Sequence, residues 1–116
     1  MRPSVLIVDD HGEFRASARA LLELQGFDVV GDVENGQAAL AAVERLRPDV
    51  VLLDVQLPEM DGFEVADRLA QTAGAPRVVL ISSRRRSAYE PRLPTAPVAG
   101  FLGKDELSGP ALAALL

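Results

Sequence analysis

Two apolar runs in this chain stop abruptly at aspartate residues. The run VLIV at residues 5–8 is followed by Asp9 and Asp10, and the run VVLL at residues 50–53 is followed by Asp54. Short continuous apolar runs are typical of strands in a parallel sheet whose two faces are both covered. The carboxyl ends of such strands line one edge of the sheet, where ligands bind. We therefore expect the three carboxylates to lie close together at that edge.

Three carboxylates gathered at one place repel one another unless a cation lies among them. Mg²⁺ is a hard cation that prefers oxygen ligands and is commonly held by one or two carboxylates and several waters. A carboxylate beside Mg²⁺ can also act as a nucleophile towards a phosphoryl group. The pattern therefore indicates an acidic Mg²⁺ site with phosphoryl-transfer chemistry.

The rest of the chain alternates strand-like runs with segments of helical period. We predict strands at about residues 4–9, 28–30, 50–53, 77–81 and 100–102. Gly26 is expected to end the first helix, Asn35 to begin the second, and Ser108 to begin the last. This alternation is typical of βαβ units, so we expect an α/β fold with a parallel sheet.

The segment that should form the fourth helix contains three prolines within residues 83–98. Pro91, Pro94 and Pro97 leave room for about two helical turns before the first of them. Proline lacks the backbone N–H that an α-helix needs in its interior. We therefore predict a shortened or irregular fourth helix, with a mobile segment around residues 91–97.

Composition excludes several classes of function. The 116 residues are enough for one domain, and the net charge of −5 argues against nucleic-acid binding by this domain alone. The absence of cysteine excludes disulfides, cysteine-ligated zinc and thiol catalysis. No apolar run approaches the roughly 20 residues that a membrane span requires. We expect a soluble, cytoplasmic domain without a secretion signal.

Five polar residues at predicted strand ends share the spacing of one known family: Asp9, Asp10, Asp54, Ser82 and Lys104. Over essentially the whole chain, they resemble the receiver domain of bacterial two-component response regulators. The loop LPEMDG at residues 57–62 is similar to the family's loop after its phosphorylated aspartate. Within the segment DDHGEFR at residues 9–15, Asp9-Asp10-His11 and Phe14-Arg15, together with Lys104-Asp105, resemble the NarL/LuxR-type subfamily.

The resemblance implies a flavodoxin-like, doubly wound (βα)5 fold with five parallel strands in the order 2-1-3-4-5. Residues 1–116 would form a single receiver domain. Any C-terminal output domain would lie outside these residues, and DNA binding would belong to that domain. The implied partner is a sensor histidine kinase, and no membrane contact is expected. Whether phosphorylation drives homodimer formation stays open.

The resemblance also implies roles for particular residues. Asp54 would be the phosphoacceptor, and Lys104 and Ser82 would assist the transfer catalytically. Mg²⁺ would be held by Asp9, Asp10 and Asp54 together with the backbone carbonyl of Gln56. Ser82 and Phe101 would form the switch pair, in which the hydroxyl turns towards the new phosphate and the aromatic ring rotates inwards.

We therefore expect a phosphorylation-controlled signalling switch with no enzymatic activity beyond its own phosphorylation and slow dephosphorylation. The alternative is a degenerate receiver that acts as a phosphorylation-independent interaction module. A Mg²⁺-dependent phosphatase of the haloacid-dehalogenase type is disfavoured, because that family needs an acid where this chain has Gln56. The absence of a Gly-x-Gly-x-x-Gly motif after the first strand excludes a Rossmann dinucleotide site.

Two other polar features have simpler interpretations. His11 is the single histidine, so a conventional histidine-rich metal site is excluded and a non-catalytic role is expected. The cluster Arg84-Arg85-Arg86 is expected to be a solvated face, with partner contact as the minority interpretation.

Overall fold

The computed structural model describes residues 2–116. Their centre is a sheet of five parallel strands in the order β2-β1-β3-β4-β5, as predicted. The strands are β1 (Ser4–Val8), β2 (Asp28–Val33), β3 (Val50–Asp54), β4 (Arg77–Ser82) and β5 (Gly100–Gly103). Four of them end within one residue of the predicted positions.

The second strand is the exception, because it continues three residues beyond its predicted end at residue 30. Gly31, Asp32 and Val33 pair with the second half of β1, after an irregularity in the register between Val5 and Leu6. The prediction stopped too early because glycine and aspartate are poor strand formers. Pairing with the central strand overrides that local preference.

Helices cover both faces of the sheet. They are α1 (Gly12–Leu24), α2 (Gly36–Leu46), α3 (Gly62–Ala70) and α4 (Gly109–Ala113). The α2 and α3 helices pack on the face that carries Leu6 and Leu53, whereas α1 and α4 pack on the face that carries Ile7 and Leu52. Each central strand is therefore buried on both sides, which explains its continuous apolar sequence.

The helix boundaries follow the predicted capping residues. Asn35 Oδ1 accepts from the Ala38 backbone N–H at 2.8 Å, and Ser108 Oγ accepts from that of Ala111 at 3.0 Å. Gly26 follows the end of α1 with a φ of 105°, a conformation that glycine adopts without a steric penalty.

No α-helix forms between β4 and β5 in the described part of the chain. This proline-rich connection (residues 83–99) contains two short 3-10 helices instead, Arg86–Tyr89 and Leu93–Thr95. The prediction of an irregular fourth helix is confirmed. Tyr89 is the buried residue of the first 3-10 helix, and it anchors an otherwise largely exposed segment.

None of the helices within residues 2–116 is both long enough and apolar enough to cross a membrane.

The loop from β3 to α3 is held close to the strand end by Gly62. Its backbone N–H donates to Val55 O at 2.8 Å, and Asp61 Oδ1 caps α3 by accepting from the Glu64 N–H at 2.9 Å. A Cβ on residue 62 would lie 2.5 Å from Asp54 O and 2.9 Å from the Val55 Cα. The close approach therefore requires glycine at this position.

We expect Gly62→Ala to lower the free energy of unfolding by about 1–3 kcal/mol, because backbone atoms must shift to make room. Gly12→Ala is the matched control: its Cβ would meet nothing closer than Arg15 Nη2 at 3.6 Å. The control should match or exceed wild-type stability, since alanine restricts the unfolded chain. Urea unfolding of both variants measures the difference, and equal stabilities would refute the steric argument.

We also expect amide hydrogen exchange in residues 91–97 to be much faster than in β4. The backbone hydrogen bonds that residues 91–97 donate are short-range, namely Arg92 N–H to Tyr89 O at 2.9 Å and Ala96 N–H to Leu93 O at 3.2 Å. Such exposed, local bonds open at low free-energy cost. Exchange measured by NMR would contradict this prediction if it were as slow here as in the sheet.

Candidate functional site

The polar residues expected at the strand ends lie at one edge of the sheet. Asp9 follows β1, Asp54 ends β3, Ser82 ends β4 and Lys104 follows β5. The strands are parallel and in register, with Asp54 beside Ile81 and Ser82 beside Gly103. Their carboxyl ends therefore form one wall, as the fold predicts.

The acids converge on a small volume. Ligand atoms of Asp9, Asp10, His11 and Asp54 lie within 4.8 Å of one another. Asp9 and Asp54 are 0% and 2% exposed, whereas Asp10 and His11 are exposed. Two buried carboxylates and one exposed carboxylate thus face the same space.

Lys104 is the cation that faces both buried acids. Its Nζ lies 2.6 Å from Asp9 Oδ2 and 3.4 Å from Asp54 Oδ2. The same ammonium lies 4.6 Å from the centroid of the Phe14 ring, at a distance where a cation–π interaction contributes. Two buried negative charges therefore share one positive charge.

That single ammonium leaves the acids incompletely neutralised. Asp9 Oδ2 is buried and accepts no hydrogen bond of standard geometry from the described residues, although Lys104 Nζ is close. A buried carboxylate oxygen without a hydrogen bond is costly. The oxygen-rich donor set and the orphaned oxygen both fit a small hard cation such as Mg²⁺.

Burial and the neighbouring charges shift the pKa values of Asp54 and Lys104. Burial, together with the nearby charge of Asp9, raises the pKa of Asp54 from 3.8 to about 6, even though Lys104 acts in the opposite direction. Burial alone would lower the pKa of Lys104. Its contacts with Asp9 and Asp54 outweigh burial and raise that pKa above its ordinary value.

Two nearby residues orient the aspartates through their backbones. The His11 backbone N–H donates to Asp9 Oδ1 at 2.8 Å, and the Gln56 N–H donates to Asp54 Oδ1 at 3.2 Å. The His11 side chain is 68% exposed, with Nδ1 3.1 Å from one oxygen each of Asp9 and Asp10. The Gln56 carbonyl stays a predicted metal ligand.

The side chains of Gln56 and Arg84 form a second polar pair. The Gln56 side-chain amide faces the Arg84 guanidinium, and its oxygen accepts from Nε and Nη2 at 3.1 and 3.2 Å when turned towards them. Arg84, Arg85 and Arg86 are all exposed. This exposure agrees with the expectation of a solvated face.

The expected switch residues lie next to a tyrosine that the sequence analysis did not identify. Ser82 Oγ is 3.0 Å from Tyr89 Oη, and both groups are buried. The Tyr89 ring in turn lies against Phe101, with centroids 5.8 Å apart. Tyr89 is the single tyrosine of the chain, in a proline-broken segment. Nothing in the local pattern points its side chain inwards.

Arg15 is a further residue whose role was not predicted. Its Nη1 donates to Asp9 O at 2.7 Å, and its Nε donates to Asp32 Oδ1 at 2.9 Å. The guanidinium therefore links the turn after β1 to β2. Phe14 and Arg15 entered the sequence analysis only through the DDHGEFR segment, without a physical role.

We expect Asp54→Asn to stabilise the metal-free protein at neutral pH. The raised pKa means that the folded state binds the proton more tightly than the unfolded chain between about pH 4 and 6, so stability falls as pH rises through this window. Above it, asparagine removes a desolvated charge, and we expect a gain of about 1–2 kcal/mol. Urea unfolding in chelator at about pH 7.5 and pH 4 checks this, with a smaller gain at the lower pH.

The matched control is Asp67→Asn, which changes an exposed carboxylate on α3. It should produce no comparable gain at neutral pH, because its charge is already hydrated. A wild-type protein as stable as the Asp54→Asn variant at neutral pH would contradict the argument.

Comparisons with known proteins place this geometry in a family. Residues 5–114 match the response regulator receiver domain. The structure superimposes with a TM-score of 0.87 on the signal receiver domain assigned to the response regulator NarL of Mycobacterium tuberculosis. That match has 34% sequence identity and covers 98% of this chain and 96% of the other.

Curated relatives agree with that match. BvgA of Bordetella pertussis, named as a transcription regulator of virulence factors, is 38% identical over 107 residues, covering 91% of this chain and 51% of BvgA. The response regulator GacA of Pseudomonas aeruginosa is 35% identical over 101 residues, covering 86% and 47% respectively. The chain spans about half the length of these relatives. It belongs to the family of response regulator receiver domains, the signalling switch modules of two-component systems.

Proposed function

We propose that this domain accepts a phosphoryl group on Asp54 and changes conformation in response. One observation carries the proposal: a buried carboxylate with Lys104 Nζ 3.4 Å from one oxygen and the Gln56 N–H 3.2 Å from the other. Burial raises the pKa of Asp54 to about 6, so the carboxylate form is the main one at neutral pH. The residue therefore combines a nucleophilic oxygen with nearby positive charge.

The transfer step is a displacement at phosphorus. An Asp54 carboxylate oxygen attacks and forms a new O–P bond, while the P–N bond of a phosphohistidine or the P–O bond of an acyl phosphate breaks. The electron pair of the broken bond leaves with the imidazole or the carboxylate. Lys104, already beside both acids, would pair with the phosphoryl oxygens as a point charge.

The metal would be held by Asp9, Asp10, Asp54 and the Gln56 carbonyl oxygen. When bound, Mg²⁺ supplies positive charge that offsets the charge on the phosphoryl oxygens. Asp9 Oδ2, which lies 2.6 Å from Lys104 Nζ but accepts no hydrogen bond of standard geometry from the described residues, would gain a metal partner. Arg15 would keep the turn after β1 in place through the Asp9 carbonyl.

The switch would begin at Ser82 and Phe101. The Ser82 hydroxyl would turn towards the phosphoryl group on Asp54, and the Phe101 ring would move with it. Phosphorylation adds roughly −1.5 to −2 charge and strong acceptor oxygens, a local change large enough to bias a two-state element.

The wider setting is also part of the proposal. The donor would be a sensor histidine kinase in the cytoplasm, and any DNA binding would reside in an output domain outside these residues. Homodimer formation on phosphorylation would be one route to output. Because three acids and Lys104 remain together, the site favours phosphorylation over the alternative of a phosphorylation-independent interaction module.

We expect the domain, incubated with Mg²⁺ and acetyl phosphate, to gain the mass of one phosphoryl group. Asp54→Asn should abolish the gain, because the amide lacks the nucleophilic oxygen. Chelation of Mg²⁺ should also abolish it, and Asp67→Asn should leave it unchanged. Intact-mass spectrometry measures all four.

An equal mass gain in Asp54→Asn would place the acceptor elsewhere. No gain in the wild type despite measurable Mg²⁺ binding would instead support the interaction module.

A further inference from the structure

We propose that Tyr89 is a positioning residue that holds the Ser82 hydroxyl in the unphosphorylated protein. A phosphoryl group on Asp54 would compete with Tyr89 for this hydroxyl. When Ser82 turned towards the phosphoryl group, its hydrogen bond to Tyr89 would break and Tyr89 would be released. The inference rests on the proposed function and names a residue through which that function is controlled.

The first support is the hydrogen bonding of Ser82. Its Oγ lies 3.0 Å from Tyr89 Oη and accepts from the Arg84 backbone N–H at 3.0 Å. Among the described residues, it makes no hydrogen bond to Asp54. Both of its partners belong to the proline-rich connection. Turning Ser82 towards Asp54 therefore withdraws the oxygen from Tyr89.

The second support is that the hydrogen bond between the Ser82 and Tyr89 hydroxyls is buried. Ser82 is 1% exposed and Tyr89 is 8% exposed, so neither hydroxyl is freely hydrated. A buried hydroxyl that loses its partner is destabilised by more than the net worth of the bond. An ionised phosphoryl oxygen is a stronger acceptor than a phenol oxygen. Tyr89 would then have to move to find another partner.

The third support is aromatic packing around Tyr89. Its ring centroid lies 5.8 Å from that of Phe101 and 5.9 Å from that of Phe63, with tilted planes in both pairs. Phe101 therefore borders the ring that Ser82 restrains. A movement of Tyr89 changes the space available to Phe101, which couples the hydroxyl to the aromatic switch.

The contacts continue from Tyr89 to the surface. Tyr89 O accepts from the Arg92 N–H at 2.9 Å, and the Arg92 guanidinium lies 3.9 Å from the centroid of Phe63. Arg92 Nη2 is also 3.3 Å from Asp61 Oδ2, at the start of α3. Release of Tyr89 would thus disturb the exposed proline-rich connection, where a regular helix is absent.

The test is a double-mutant cycle of Tyr89→Phe, Ser82→Ala and the double variant, with Ser87→Ala as the matched control. Tyr89→Phe keeps the ring and removes the hydroxyl, while Ser87→Ala removes an exposed hydroxyl from the same 3-10 helix. Fluorine NMR measures the affinity of each protein for beryllofluoride, a phosphoryl mimic, in Mg²⁺. Urea unfolding without the mimic measures the coupling between the two hydroxyls in the resting state.

We expect Tyr89→Phe to bind beryllofluoride about 2- to 10-fold more tightly than wild type, since one hydrogen bond no longer has to break. The gain should vanish in the Ser82→Ala background, and Ser87→Ala should match wild type. Tyrosine emission should also change when the wild type binds the mimic, and it reports Tyr89 alone because the chain has one tyrosine and no tryptophan.

The outcomes separate this inference from the proposed function. Three results would each overturn the inference while leaving phosphorylation intact. They are a wild-type affinity for beryllofluoride in Tyr89→Phe, a gain in that affinity that persists in the Ser82→Ala background, and no coupling free energy between the two hydroxyls in urea unfolding. A wild type that takes up neither beryllofluoride nor a phosphoryl group would overturn the proposed function, and the inference would fail with it.

Discussion

The structure depends on how two buried negative charges are tolerated at the edge of one sheet. Asp9 and Asp54 lie at adjacent strand ends and share the Lys104 ammonium, so neither acid is fully neutralised. Burial and the nearby charge of Asp9 raise the pKa of Asp54, and Asp9 Oδ2 accepts no hydrogen bond of standard geometry from the described residues although Lys104 Nζ lies 2.6 Å away. A cation placed among these carboxylates would reduce their mutual repulsion.

Burial of the apolar strands on both faces of the sheet contributes stability that offsets the cost of these buried charges. The central strands are covered by α2 and α3 on one side and by α1 and α4 on the other. Strand pairing places Asp9, Asp54, Ser82 and Lys104 at neighbouring strand ends. Gly62 shows how tight this placement is, since its backbone approaches the Asp54 carbonyl too closely for a side chain.

The sequence predicted the features that depend on local patterns of residues. It did not predict the features that depend on contacts between segments distant in sequence. Strand-end aspartates, strand order and helix caps follow from periodicity, capping chemistry and family spacing, and all agree with the structure. The extra length of β2 depends on pairing with β1 and leaves no local signal. The burial of Tyr89 is the more important feature that the sequence did not predict. Tyr89 packs against Phe63 and Phe101, which are distant in sequence, and its own segment has no regular hydrophobic period.

The absence of a regular helix between β4 and β5 would change how the proposed phosphorylation of Asp54 affects the surface. A continuous helix would move as a rigid body. Two short 3-10 helices with Pro91 between them would instead transmit a displacement through the side chains that anchor them to the core. Tyr89 is such an anchor, because it joins the strand-end hydroxyl to the aromatic cluster and, through Arg92, to the start of α3. If Asp54 accepts a phosphoryl group as proposed, the irregular segment would concentrate the coupling in the Tyr89 side chain and would not by itself disconnect Asp54 from the surface.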